Sequence, residues 1–250
     1  MRNHAGGRNR ARLALSIGLA LAAAIGAATE GRAAKERTAM PGKTFSWTFQ
    51  ADTLGQKPAH SIAFGGSWSV SLDSSALAAA PGDTALAAAI DSVPPATVPP
   101  RRLLTQSESD DGIAYHYLAF TRPLLEDVDA SVRFRIRSGE MDPSAGLMFQ
   151  MDRKGTSGYL VRVSGKSGEL AFHYLLYGKR RDVKFAKIDP PAPGTWHTIA
   201  VVRRKSSLRA FYDGKELMSV RDDRFSKGTV GVWTEDDALV DFADLTATAR

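Results

Sequence analysis

The sequence predicts an all-β protein, an antiparallel sandwich of the jelly-roll type with about a dozen strands. Two observations predict it. Short apolar stretches rich in β-branched and aromatic residues recur from residue 45 onward, with turn residues roughly every 8–12 positions. The amphipathic helical periodicity that βαβ units require is missing, which leaves sheet packed on sheet as the way to bury the apolar faces.

The first element in chain order is not part of that fold. Arg2, Arg8, Arg10 and Arg12 precede a 16-residue apolar run, LALSIGLALAAAIGAA (13–28), and small residues follow in GRAA (31–34). This is the pattern of a cleaved export signal over residues 1–33. The run is short of the roughly 20 residues a spanning helix needs, so no stable membrane insertion is expected after cleavage. The segment carries five Arg and one Glu, net +4 of the chain's formal +6, which leaves +2 on residues 34–250. The basic balance is therefore largely an export feature, and nucleic acid is not an expected partner. The chain has no cysteine, which excludes disulfides, a thiolate nucleophile and Cys-based zinc sites. A periplasmic or extracellular location is expected.

Residues 34–44 read as a flexible lead-in, and residues 45–248 as one sandwich. FSWTFQADTLGQKPAHSIAFGGSWSVSL (45–72) alternates aromatic strand pieces with Gly and Pro breaks. Residues 76–100 hold nine Ala and five Pro, and read as an inserted loop. GIAYHYLAF (112–120) is a strand. DASVRFRIRSG (129–139) is the cleanest: Ala130, Val132, Phe134 and Ile136 face one way, Ser131, Arg133, Arg135 and Arg137 the other. SAGLMFQMD (144–152) is apolar on both sides, as a central strand is when both faces are covered. Strands at 158–165, 168–178 and 181–188 follow, broken by SGKSG and GKR. In GTWHTIAVVRRKSSLRAFYDGKEL (194–217), Trp196 and His197 are neighbours on a strand and point to opposite faces. RRKSS is the bend of a hairpin there, and Asp213–Gly214 the next tight turn. Strands over 227–236 and 238–249 end the chain.

The order of these pieces carries a resemblance. Phe64–Gly66–Trp68–Val70, Asp129–Arg137, Ala145–Phe149, Tyr159–Arg162, Gly194–Trp196–His197, Leu208–Leu217, Gly228–Thr234 and Phe242–Leu245 follow one another as they do in the concanavalin A-like lectin/glucanase superfamily. The set is nearest to laminin-G-like and 3-keto-disaccharide-hydrolase-like domains, and it covers about residues 45–248. The resemblance implies two curved sheets, with ligands meeting a concave face or the loops at its rim. Members bind sugars, hydrolyse them, or serve as structural and protein-interaction modules, and fold alone does not choose among these.

Hydrolysis needs two carboxylates on one face, a few ångströms from the sugar carbon. Retaining enzymes of this architecture space them as Glu-x-Asp-x-x-Glu. Neither ESDD (108–111), TEDD (234–237) nor LLEDVD (124–129) fits, and no catalytic residue is assigned. A non-catalytic carbohydrate- or glycan-binding module is the first reading. A glycoside hydrolase and a laminin-G-like interaction domain are the alternatives. Sugars are held by aromatic stacking and planar polar groups. The expected ligand-binding residues are His116, Gln150, Arg162, His173 and Trp233, with Tyr115, Tyr117 and Tyr174 as further aromatics. A salt bridge across the sheet is the competing role for Arg162, and core packing for the aromatics. No cofactor is expected beyond a structural Ca2+, which Asp52, Asp241 and Asp244 would bind to tie the first strand to the last. The preferred reading is that Asp241 and Asp244 are simply the outward residues of an edge strand.

Overall fold

The computed structural model describes residues 40–73, 101–112 and 114–250. The expected export signal and the Ala/Pro-rich stretch read as an insertion both lie outside these residues. The described residues form fifteen strands and no helix.

The strands are β1 (Thr44–Trp47), β2 (Ser61–Phe64), β3 (Trp68–Leu72), β4 (Arg102–Gln106), β5 (Tyr115–Phe120), β6 (Val128–Ser138), β7 (Ser144–Met151) and β8 (Gly158–Ser164). They continue with β9 (Glu169–Leu176), β10 (Lys179–Lys187), β11 (His197–Arg204), β12 (Ser207–Tyr212), β13 (Lys215–Arg221), β14 (Thr229–Glu235) and β15 (Leu239–Ala249). The first sheet runs β13-β12-β11-β6-β15-β4-β3, with β1 also paired to β15. The second runs β10-β9-β8-β7-β14-β5-β2. Every strand pairing is antiparallel.

The core lies between the sheets and is built by the period-two pattern. Val128, Ala130, Val132, Phe134 and Ile136 of β6 are buried, while Asp129, Ser131, Arg133 and Arg135 alternate with them outward. Phe149, Tyr159, Phe172, Val232 and Phe242 close the same core from other strands. β7 is buried at every position, so both of its faces are covered.

A second apolar cluster explains the outer covering. Tyr117, Met148, Met151, Leu160, Leu175 and Trp233 pack together, with Phe64 and Tyr115 against them. The register places Phe64 opposite Tyr117, Tyr117 opposite Trp233, and Met148 opposite Leu160. These residues belong to the face of the second sheet turned away from the main core.

The turns follow local chemistry. Asp213 (φ 48°) and Gly214 (φ 80°) form the two-residue loop between β12 and β13, the conformation that a tight hairpin turn demands. Lys205 (φ 52°) and Ser206 join β11 to β12. The β9–β10 turn differs from the expectation placed on GKR. It is made by Tyr177 (φ 52°) and Gly178 (φ 75°), and Lys179, Arg180 and Arg181 already belong to β10. That shift gives Arg180 a place on the sheet face.

Candidate functional site

Arg162, on central strand β8, is the hub of the outer face. Its Nη1 lies 3.0 Å from Asp142 Oδ2, 2.6 Å from Ser144 Oγ and 2.5 Å from Glu235 Oε1. The first two contacts are hydrogen bonds; the third is an ion pair without hydrogen-bond geometry. Arg180 donates to the other Glu235 oxygen. A carboxylate that is only 3% exposed is thus held between two guanidiniums, as a buried charge requires. Burial pushes the Glu235 carboxyl up, and Arg162 and Arg180 oppose that shift.

His173 extends the network. Arg162 Nε donates to His173 Nε2 at 3.3 Å, so this ring nitrogen is the acceptor. The proton sits on Nδ1, which donates to Asp182 Oδ1 at 2.9 Å. Burial, then the neighbouring Arg180 and Arg162 charges, push the imidazole down to about 3, so it is neutral at physiological pH.

Trp233 is fully buried on the same face, against Tyr115 (4.7 Å between ring centres) and Tyr117 (5.2 Å, stacked). Tyr117 in turn stacks on Phe64 at 4.8 Å. Arg180 lies over the Tyr115 ring at 5.1 Å. Arg162, His173 and Trp233 are therefore brought to one face. The competing roles named for them are also observed: Arg162 bridges strands, and Trp233 packs.

His116 and Gln150 stand elsewhere. His116 alternates with Tyr115 and Tyr117, so it turns inward, where its Nδ1 lies 2.7 Å from Gln106 Nε2 of the first sheet. Its Nε2 lies 2.6 Å from Asp110 Oδ2. Gln150 sits in a bulge where Phe149 and Gln150 face the single residue Val230. Its φ of 53° turns the side chain to donate to the Glu126 carbonyl at 2.7 Å.

The three aspartates expected at a Ca2+ site do not gather as ligands. Asp241 is buried and accepts from Arg135 Nη2 at 2.6 Å, from Arg135 Nε at 3.1 Å and from Thr105 Oγ1 at 2.9 Å, with Arg137 also beside it. Asp244 pairs with Arg101 and Arg133. Asp52 caps its own loop by accepting from the Ala59 amide at 3.0 Å. Asp241 and Asp244 thus meet arginines, from β6 and from just before β4. Among the described residues, the one group of potential metal ligands is Glu108, Asp110 and His116, whose ligand atoms lie within 4.8 Å of one another. The Gln106 amide donates to His116 Nδ1, which places the ring proton on Nε2, the nitrogen a metal would need. Gln106 Oε1, beside this network, is buried without a hydrogen-bond partner.

The Trp196–His197 pair divides as expected. Trp196 stacks with Arg135 (4.7 Å) and Arg133 (5.0 Å), which lie on the outer face of the first sheet. His197 stacks on Tyr212 at 5.3 Å and lies 5.9 Å from the inward Phe134. His197 Nδ1 lies 2.7 Å from Asp213 Oδ2, and its Nε2 lies 2.8 Å from Thr195 Oγ1. Thr195 Oγ1 donates to the Ala192 carbonyl at 2.6 Å, so it caps a turn and is not poised as a nucleophile.

The open part of the second sheet's outer face is at its β2–β5 edge. A cavity of about 590 Å³ is lined there by His60, Ile62, Phe64, Arg122, Asp152 and Arg153, among others. A cavity of this size suits a small ligand. Phe64 links it to the aromatic column, and its tip rests on Gly155, where a Cβ would come within 2.1 Å of the ring. The expected ligand set omitted His60, Phe64, Arg122 and Asp152. The signal for them was FGGSW: Gly65 (φ 71°) and Gly66 (φ 77°) end β2 in a turn only glycine takes readily. β2 pairs only with β5, which makes it the edge strand of this sheet.

The two-sheet arrangement matches solved structures. The carbohydrate binding module CBM66 from Bacillus subtilis superposes with a TM-score of 0.53 at 18% identity, over 58% of this chain and 86% of that one. The fold is a concanavalin A-like β-sandwich. The VIP36 exoplasmic/lumenal domain in its Ca2+/Man3GlcNAc-bound form (TM-score 0.49, 11% identity, 59% and 78% covered) is also similar. So is a Bacillus subtilis protein of unknown function with a galectin-like fold (0.45, 11%, 60% and 84%). No family model and no curated protein matches the chain. In concanavalin A-like terms, the face with Arg162 and Trp233 is the curled one, because Arg180 of β10 reaches Tyr115 of β5 across it.

Proposed function

We propose that this protein is an exported, non-catalytic glycan-binding module, with its sugar site in the Phe64 cavity on the curled face of the second sheet. The observation that carries the reading is the cavity itself. An aromatic ring, apolar walls and convergent polar groups adjoin one another, as sugar recognition needs. The likeness to a carbohydrate-binding module supports the same reading at the level of fold.

The geometry around Arg162 supports binding over hydrolysis. Asp142 Oδ2 and Glu235 Oε1 flank one guanidinium nitrogen at 3.0 and 2.5 Å, so spacing alone does not exclude a carboxylate pair. Retaining glycosidases separate their carboxyls by about 5 Å to flank the scissile bond. Here Arg162 fills the space between the two acids, and Glu235 is closed off from solvent.

A glycan array followed by isothermal titration tests the reading. Phe64→Ala is expected to lower affinity about five- to thirtyfold, since loss of a sugar-stacking ring removes on the order of 1–2 kcal/mol. Phe185→Ala, on the exposed edge strand β10, is expected to leave it unchanged. Absence of binding to any glycan at millimolar sensitivity would overturn the proposal. Export is tested by N-terminal sequencing of protein recovered outside the cytoplasm, which should begin after Ala33 or Ala34.

A further inference from the structure

The charges at the cavity name its ligand class. Arg122 lines the cavity and is exposed. Among the described residues no carboxylate pairs with it; its Nη2 donates instead to His60 Nε2. This sets it apart, because most arginines of the sandwich meet an acid. Arg162, Arg180, Arg203 and Arg224 pair with Asp142, Glu235, Asp127 and Asp222, for example.

The Arg122–His60 unit is fixed in place. The His60 carbonyl accepts from the Thr121 amide at 2.8 Å and from Thr121 Oγ1 at 3.1 Å, which ties the start of β2 to the end of β5. His60 holds a φ of 56°, a conformation a side-chain-bearing residue keeps only when its surroundings impose it. Because Arg122 donates to Nε2, the neutral ring carries its proton on Nδ1, a second donor of the unit. The acid in the cavity wall, Asp152, is turned into its own loop. It accepts from the Thr156 amide at 2.8 Å and from Thr156 Oγ1 at 3.0 Å. The cavity therefore offers a guanidinium fork beside an aromatic ring, with its single acid already engaged.

We infer that the glycan taken by this cavity is acidic, a uronate-containing oligosaccharide whose carboxylate is held by Arg122. The planar fork fits a planar carboxylate with two parallel hydrogen bonds, and the Phe64 ring meets the apolar face of the sugar. The inference rests on the glycan-binding reading above and adds the charge of the sugar.

Isothermal titration of the whole protein tests it with three probes: an oligogalacturonate, its methyl ester, and a sulfated oligosaccharide of similar length. The acid is expected to bind at least about tenfold more tightly than the ester, the usual worth of a charge-assisted pair. Added NaCl should weaken the acid and spare the ester. Arg122→Gln should bring the acid-to-ester ratio close to one in a protein whose circular dichroism spectrum is that of the native chain. Arg122→Lys, which keeps the charge but loses the fork, should retain part of the ratio. Equal affinity for acid and ester, or a ratio that survives Arg122→Gln, overturns the inference and leaves the glycan reading standing. Preference for the sulfated probe overturns the carboxylate assignment. No binding of any probe overturns the glycan reading itself.

Discussion

Arg180 and Tyr115 touch across the second sheet: the guanidinium lies 5.1 Å from the ring centre. Their strands, β10 and β5, are five places apart in the sheet order. In a flat sheet that separation would be about 24 Å at the usual strand spacing. The sheet must curl over this face, as twisted sheets do, and Arg180 closes part of it by holding Glu235 as well.

Arg180→Ala is expected to open this clasp. Glu235 keeps Arg162, so the cost should be modest, about 1–2 kcal/mol in urea unfolding. Acrylamide quenching of Trp233 fluorescence should rise. Unchanged quenching would show that Arg180 does not cover the aromatic column.

His173 sets a pH dependence. Its folded value is pushed down to about 3, by burial first and then by Arg180 and Arg162. In the unfolded chain the ring titrates near the ordinary histidine value of about 6.5. Between these limits the unfolded state holds a proton that the folded state lacks. The His173 contribution is therefore fully present above the unfolded value and is lost as pH falls towards 3. Glu235, raised by burial, contributes in the opposite sense: it favours the folded state at acid pH and loses that contribution as pH rises. Urea midpoints measured at pH 7.5 and 4.5 should differ less in His173→Asn than in the native protein. An equal difference in both would count against a buried neutral ring.

Gly228 should tolerate nothing larger. A Cβ there would lie 2.2 Å from the Gln150 carbonyl carbon and 2.5 Å from the Met151 oxygen, both backbone atoms of the bulge. Gly228→Ala is expected to cost more than about 2 kcal/mol. Gly112→Ala, where nothing lies within 4 Å, serves as the control and should cost little.

Arginine–aspartate pairing, not Ca2+, should hold β15 to β6. Dialysis against EDTA is expected to leave the melting temperature unchanged. Asp241→Asn should cost about 2 kcal/mol, because Arg135 Nε and Nη2, on a side chain only 11% exposed, both lose their charged acceptor Oδ2 while keeping Asp73. A fall in melting temperature with EDTA that added Ca2+ reverses would refute this.

Strand content was legible in the sequence because alternation is a local property. Residues 129–137 place Arg133 and Arg135 outward and Phe134 inward whatever they meet, and Trp196 and His197 divide for the same reason. The Asp213–Gly214 turn was legible because positive φ selects those residues. The partners were not. Asp241 and Asp244 face outward as a strand pattern allows, but whether they meet a cation or arginines depends on β6 pairing beside β15. His116 reads as a face residue by type, yet the phase of β5 turns it inward to Gln106.

By itself, the sequence determined the period-two strands, the tight turns and the absence of disulfides, because each follows from neighbouring residues or from composition. Only the tertiary structure decided the site. Arg162, His173 and Arg180 come from the consecutive strands β8, β9 and β10, but Glu235 comes from β14, 55 residues beyond Arg180, and strand order and curl bring it to them. Arg122 stands out only once Arg162 and Arg180 of the curled face are seen with their acids, since the pairing of charges is fixed by register and not by sequence distance.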